Sequence, residues 1–128
     1  IFNHGNHTRD FTYIDDIVDG ILKTLDKTAT SNIYWNSEEP DPASSKAPWC
    51  IYNIGNNKPV PLMDYVNALE KALGKKAKIN FLPLQAGDVP DTHASIKNLK
   101  NKYNYNPKTS VEEGIKKFVL WYKNYYLI

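Results

Sequence analysis

The chain is 128 residues long, 41% hydrophobic, and carries a net charge of +2 with its charges scattered along it. That length suits one domain with a modest core; the charge pattern shows no basic stripe of the kind nucleic acid requires, and no apolar run reaches the length that crosses a bilayer. Cys50 is the single cysteine, so no internal disulfide can form, and between Trp49 and Ile51 it reads as a buried strand residue in a reducing, cytoplasmic compartment.

Ile1-Phe2 reads as the tail of a strand, and without an initiating methionine the chain is expected to be a piece of a longer protein. Phe11 is strand-like, and a helix follows over about Asp15 to Leu25. There Ile14, Ile17, Val18, Ile21, Leu22 and Leu25 fall at the three-four spacing of one buried stripe. Thr12 is placed to cap this helix, and Asp15 and Asp16 suit the positive end of its dipole. Ser31 to Pro48 has loop composition, with Pro40, Pro42 and Pro48 and no periodicity. Trp49 to Ile54 is a short apolar strand closed by Gly55.

A second helix is expected from Leu62 to Leu73, with Val66, Leu69, Ala72 and Leu73 inward and Gly74 as its stop. Lys78 to Leu84 alternates enough to be a second strand, and Gln85 to Pro90 is a loop. A short helix covers Ser95 to Tyr103, with Ile96, Leu99 and Tyr103 inward. The last helix begins at Ser110, where Ser110-Val111-Glu112-Glu113 has the form of a capping box; Ile115, Phe118, Val119 and Tyr122 line its core side. The order is α/β, with too few strands for a sheet of ordinary width, which suggests a subdomain built to pack on something else.

Arg9 stands just before a helix start, where a guanidinium can grip a phosphate beside backbone N–H groups that also favour anions. A surface ion pair with Asp10 or Asp15 is the plainer use. Asp15 and Asp16 point in different directions on a helix and do not form a carboxylate pair. Asp88, between Gly87 and Val89-Pro90, could accept from a vicinal diol such as a ribose, or bond its own turn. His4 and His7 have a spacing that metals sometimes use, but no cysteine or acidic cluster completes a site, so with His93 they read as scattered polar residues. The six glycines, at 5, 20, 55, 74, 87 and 114, make no dinucleotide or P-loop fingerprint, and no tyrosine is followed four residues later by lysine. On its own the chain reads as a ligand-holding half without a reaction centre.

Four segments carry a resemblance: Arg9-Asp10-Phe11-Thr12-Tyr13-Ile14-Asp15-Asp16, Tyr52-Asn53-Ile54-Gly55, Gln85-Ala86-Gly87-Asp88-Val89-Pro90 and Thr109-Ser110-Val111-Glu112-Glu113-Gly114. In this order they resemble the C-terminal, substrate-binding portion of the extended short-chain dehydrogenase/reductases that act on nucleotide sugars. Asp41-Pro42-Ala43-Ser44-Ser45, Ala47-Pro48-Trp49 and the Gln85 loop point to the UDP-glucuronate 4-epimerase branch, which serves capsular polysaccharide synthesis. The resemblance implies a separate N-terminal Rossmann domain that binds NAD and supplies a catalytic tyrosine and lysine, a transient 4-keto sugar, and a homodimeric parent. It implies no catalytic residue, cofactor or metal in the present residues 1–128, and no membrane or nucleic-acid partner. By the same resemblance Arg9 matches the arginine that contacts the diphosphate and Asp88 the aspartate that binds the uridine ribose. Leu62 falls where the family packs on uracil, Thr92 where it lines the sugar pocket, and Asn53 is a weaker candidate. Galactose-type epimerases have an arginine where this chain has Gln85, which can donate to a phosphate oxygen without bringing charge. The alternatives are a sister dehydratase or decarboxylase, and a non-catalytic nucleotide-sugar-binding or scaffold module.

Overall fold

A computed structural model describes residues 1–128 and shows four helices around a two-stranded sheet. The sheet consists of β1 (Thr8–Arg9) and β2 (Val60–Pro61), which run antiparallel with Thr8 opposite Pro61 and Arg9 opposite Val60. On its other edge β1 meets the Pro90 loop: Thr8 N donates to Pro90 O at 3.1 Å and Thr92 N donates to Thr8 O at 3.2 Å. β1 is therefore a central rib, with β2 on one side and residues 90–92 on the other.

The helices follow the sequence periodicity closely. They are α1 (Ile14–Leu25), α2 (Leu62–Leu73), α3 (Lys97–Tyr103) and α4 (Val111–Tyr126). α2 stops where expected, because Gly74 takes the left-handed conformation at φ 69° and its N–H donates to Glu70 O at 2.9 Å. At the start of α4, Ser110 Oγ accepts from Glu113 N at 3.2 Å. The box is half-formed, since the Glu113 carboxylate turns away to Lys117 at 3.0 Å. Thr12 is not the cap of α1: Tyr13 holds that position without a side-chain bond, and the Thr12 hydroxyl donates instead to Asp10 O at 3.4 Å.

Neither longer strand forms. Trp49 to Ile54 makes a single bridge, between Cys50 and Ser44, and Lys78 to Leu84 is irregular. A strand needs a neighbour to satisfy its backbone, and no segment runs alongside either stretch as a continuous ladder. The second stretch does meet the start of the chain, with Leu82 N donating to Ile1 O at 2.8 Å and His4 N to Leu82 O at 3.0 Å. The start itself is a 3-10 turn, Phe2–Gly5, rather than a strand end.

Only 13 of 128 residues are buried, so the core is thin for a chain of this size. Ile96, Leu99 and Tyr105 form its centre, with Tyr52, Ile54 and Tyr103 packed against them. Ile115 and Val119 of α4 are buried as expected, and α2 packs along α4. Phe118 and Tyr122 lie nearer the surface. The α1 stripe departs most from expectation. Ile14, Val18, Ile21, Leu22 and Leu25 are all exposed, Leu25 by 71%, so the periodicity marks an apolar face that no other part of the chain covers.

Candidate functional site

Two carboxylates tie the loops around β1 together. Asp10 accepts from Asn57 N and Ala94 N through Oδ2, both at 3.0 Å, and from Lys58 N through Oδ1 at 3.1 Å. Gly55 is required beside it, because a Cβ there would collide with Ala94 Cβ and lie 3.0 Å from Asp10 Oδ2. Asp16, read from sequence as helix-start electrostatics, also clasps the approach to α4: its oxygens accept from Lys108 N at 3.2 Å and Thr109 N at 3.1 Å. Partial burial alone would raise the Asp16 carboxyl, but the bonds from Thr109 and Lys108 outweigh it and hold the pKa below the ordinary value.

This scaffold presents Arg9 and Asp88 to each other. Arg9 Nη2 donates to Asp88 Oδ1 at 3.2 Å, joining residues 79 positions apart. Arg9 Nη1 donates to Thr8 O at 2.9 Å and to Pro90 O at 2.6 Å. Of the five N–H groups of a guanidinium, one on Nε and one on Nη2 thus keep no partner within the chain. The ion pair is with Asp88, not with Asp10 or Asp15. Both side chains reach solvent, at 24% and 31% exposure, so an anion can approach.

Thr92 and Leu62 sit on either side of β1. The Thr92 hydroxyl accepts from Asp10 N at 3.2 Å, and Leu62 N donates to His7 O at 2.9 Å where α2 begins. Gln85 closes the turn through its carbonyl, which accepts from Asp88 N at 3.1 Å, and its side chain stands in solvent. Asn53 lies apart. It is exposed, its amide reaches Ser95 O at 3.5 Å, and no contact joins it to Arg9.

Sequence reasoning missed His7, which is not a scattered polar residue. Its side chain is 3% exposed, Nε2 lies 3.3 Å from Asp88 Oδ2, and Nδ1 lies 3.0 Å from Pro90 O. Its position two residues before Arg9, on the approach to β1, was the available signal. His4 takes no part.

Two other features stand apart from this cluster. Lys102 Nζ lies 3.9 Å from Cys50 Sγ and over the Tyr52 and Tyr103 rings, which gives that half-exposed thiol a cationic neighbour the sequence did not reveal. An apolar cleft of about 270 Å³ opens between the start of α1, α2 and α4, with Phe11, Tyr65 and Phe118 among its walls. No charged side chain lines it, so it brings no cation to a diphosphate.

Residues 1–118 match the family described as GDP-mannose 4,6 dehydratase. The chain is 49% identical over 126 residues to Protein CapI of Staphylococcus aureus, covering 98% of this chain and 38% of that protein. It is 45% identical over 125 residues to UDP-glucuronate 4-epimerase 2 of Arabidopsis thaliana, covering 97% of this chain and 28% of that one. The chain thus spans well under half the length of these relatives. Among solved structures it superposes on UDP-glucuronic acid 4-epimerase from Bacillus cereus in complex with UDP-glucuronic acid and NAD. That match has a TM-score of 0.74 and 30% identity, and covers 98% of this chain and 35% of the other.

Proposed function

The chain belongs to the GDP-mannose 4,6 dehydratase family, and from that premise we propose that it is the substrate-gripping part of an NAD-dependent UDP-sugar 4-epimerase, acting on UDP-glucuronate and UDP-galacturonate. The observation that carries this reading is the Arg9–Asp88 contact at 3.2 Å. It sets a cation suited to a diphosphate beside an acceptor suited to a ribose diol, and those two groups are neighbours in a nucleoside diphosphate.

Arg9 would turn its two unpartnered N–H groups to the diphosphate while Pro90 O and Thr8 O hold the guanidinium plane. Asp88 would accept from the ribose hydroxyls. Gln85, exposed at the head of the same loop, would add a neutral donor to a phosphate oxygen. Leu62 would face the uracil and Thr92 the sugar, and a fixed grip on UDP would let the sugar turn without leaving.

The present residues do not fit NAD. β2 runs straight from Pro61 into α2 with no glycine between them, so no glycine-rich turn opens a helix toward a pyrophosphate. NAD, which exchanges hydride with the sugar in this reading, would belong to an N-terminal Rossmann domain. The exposed α1 face, with Ile14, Val18, Ile21, Leu22 and Leu25, supports a covering domain of that kind. Residues 1–128 alone would not catalyse. A sister dehydratase has the family description behind it and would use the same grip on a nucleoside diphosphate, because the two reactions differ in what happens at the sugar.

The test is calorimetric titration with UDP and UDP-glucuronate, using Arg9→Ala as the comparison. Removing a charge-assisted contact to phosphate should weaken binding by about tenfold or more. Equal affinity in wild type and Arg9→Ala would sink the reading.

A further inference from the structure

The start of α4 opens onto a second cleft, of about 170 Å³, bordered by the loop before β2, the first turn of α2 and the approach to α4. None of Arg9, Asp88, Gln85, Thr92 and Leu62 lines it, so it is not part of the UDP grip. One polar side chain there is buried without a partner. Asn56 is only 7% exposed, yet its amide makes no hydrogen bond within the chain, and neither of its polar atoms is sealed off from the cleft it lines. A carboxamide brings two N–H donors and a carbonyl acceptor, and burying it unbonded is costly unless a polar occupant satisfies it.

The helix adds donors of its own. Glu113 N donates to Ser110 Oγ and Gly114 N to Ser110 O, which leaves the Val111 and Glu112 N–H groups without an acceptor at the positive end of a 16-residue helix. Lys58, Lys108, Asp64 and Glu112 also line the cleft, and none of the four is in an ion pair. Their charges cancel, and the helix end adds a partial positive charge, so the site favours a ligand with one negative charge. A dianion would set its second charge against Asp64 and Glu112. The donors suit a carboxylate. The two side-chain carboxylates only accept, and so suit hydroxyl groups. The volume lies below the range of about 300 Å³ or more that drug-sized ligands occupy, which keeps the ligand to a few carbons. We propose that this cleft binds a short hydroxy acid. Its carboxylate takes the Asn56 amide, the Val111 and Glu112 N–H groups and the two lysines, and its hydroxyls donate to Asp64 and Glu112.

Calorimetry on the full-length protein, with D-glycerate as the probe, tests this. Glycerate should bind. Glycerol, which lacks the charge, and propionate, which lacks the hydroxyls, should each bind at least about tenfold more weakly. The Lys58 and Lys108 ammonium groups make no hydrogen bond or ion pair within the chain, so Lys58→Ala and Lys108→Ala leave the fold intact, and each should weaken glycerate by about tenfold. Asn56→Asp is isosteric, exchanges the buried donor for an acceptor, and should abolish binding. Circular dichroism checks that it folds, and the two lysine variants decide if it does not. Any one of three results would overturn the proposal: no heat with glycerate, glycerate heat that neither lysine variant changes, or propionate or inorganic phosphate binding as tightly as glycerate. None of these results bears on the UDP grip, because its residues do not line this cleft.

Discussion

Tyr105, fully buried, donates a hydrogen bond from its phenol to the Gly55 carbonyl at 3.0 Å, joining the core to the loop knot that supports β1. Tyr105→Phe keeps the ring and leaves that carbonyl without its donor, so it should cost about 1–2 kcal/mol in denaturant unfolding. Burial, with Asp16, Asp19 and Asp10 nearby, pushes the phenol up to about 12. The folded state therefore keeps the proton more tightly than the unfolded chain, whose tyrosines titrate near about 10. This contribution is whole below about pH 10 and is lost as pH rises toward about 12. Alkaline unfolding of Tyr105→Phe should lack that component; an unchanged alkaline profile would contradict the assignment.

Asp10 and Gly55 are predicted to be the least replaceable pair near the site. Asp10→Ala strands three backbone N–H groups, and its cost should reach about 3 kcal/mol or more. Gly55→Ala inserts a methyl into Ala94 and should cost about 1–3 kcal/mol through overpacking. Thermal melts compare both with Ala86→Ser, an exposed loop change that should stay near neutral.

Asp16 should make the chain acid-sensitive. Its folded pKa lies below the ordinary value, so its contribution is present at neutral pH and disappears as pH falls through the folded pKa, below about pH 4. Asp16→Asn should destabilise the chain at pH 7 by about 1 kcal/mol and should converge with wild type in acid. A constant difference across that range would argue against the clasp on Lys108 and Thr109.

The bare α1 face should make residues 1–128 sticky when nothing covers it. Sedimentation at increasing concentration should reveal association, and Val18→Asp with Leu22→Asp should reduce it while leaving helical circular dichroism intact. A strict monomer that binds no apolar dye would mean the face needs no cover.

The helices were legible in sequence because their determinants are local. The period of Ile14 to Leu25, the stop at Gly74 and the cap at Ser110 act within a few residues, and each reappears in the structure. The stretches Trp49–Ile54 and Lys78–Leu84 carry strand composition equally well. A strand, however, is a relation between two segments, and these two lack a continuous neighbour.

The same distinction runs through the site. Sequence alone marked Arg9 and Asp88 as residues of the right chemistry, the first by its place before a helix and the second by its place between glycine and proline. That they meet, that Pro90 O holds Arg9 on one side and His7 on the other, and that His7 is buried facing Asp88 were decided by the folding of the 85–92 loop against β1. Local periodicity reports which face of a helix is apolar, but not what covers it. Contacts across 79 residues arise only once distant segments share an edge, and no short-range pattern encodes them.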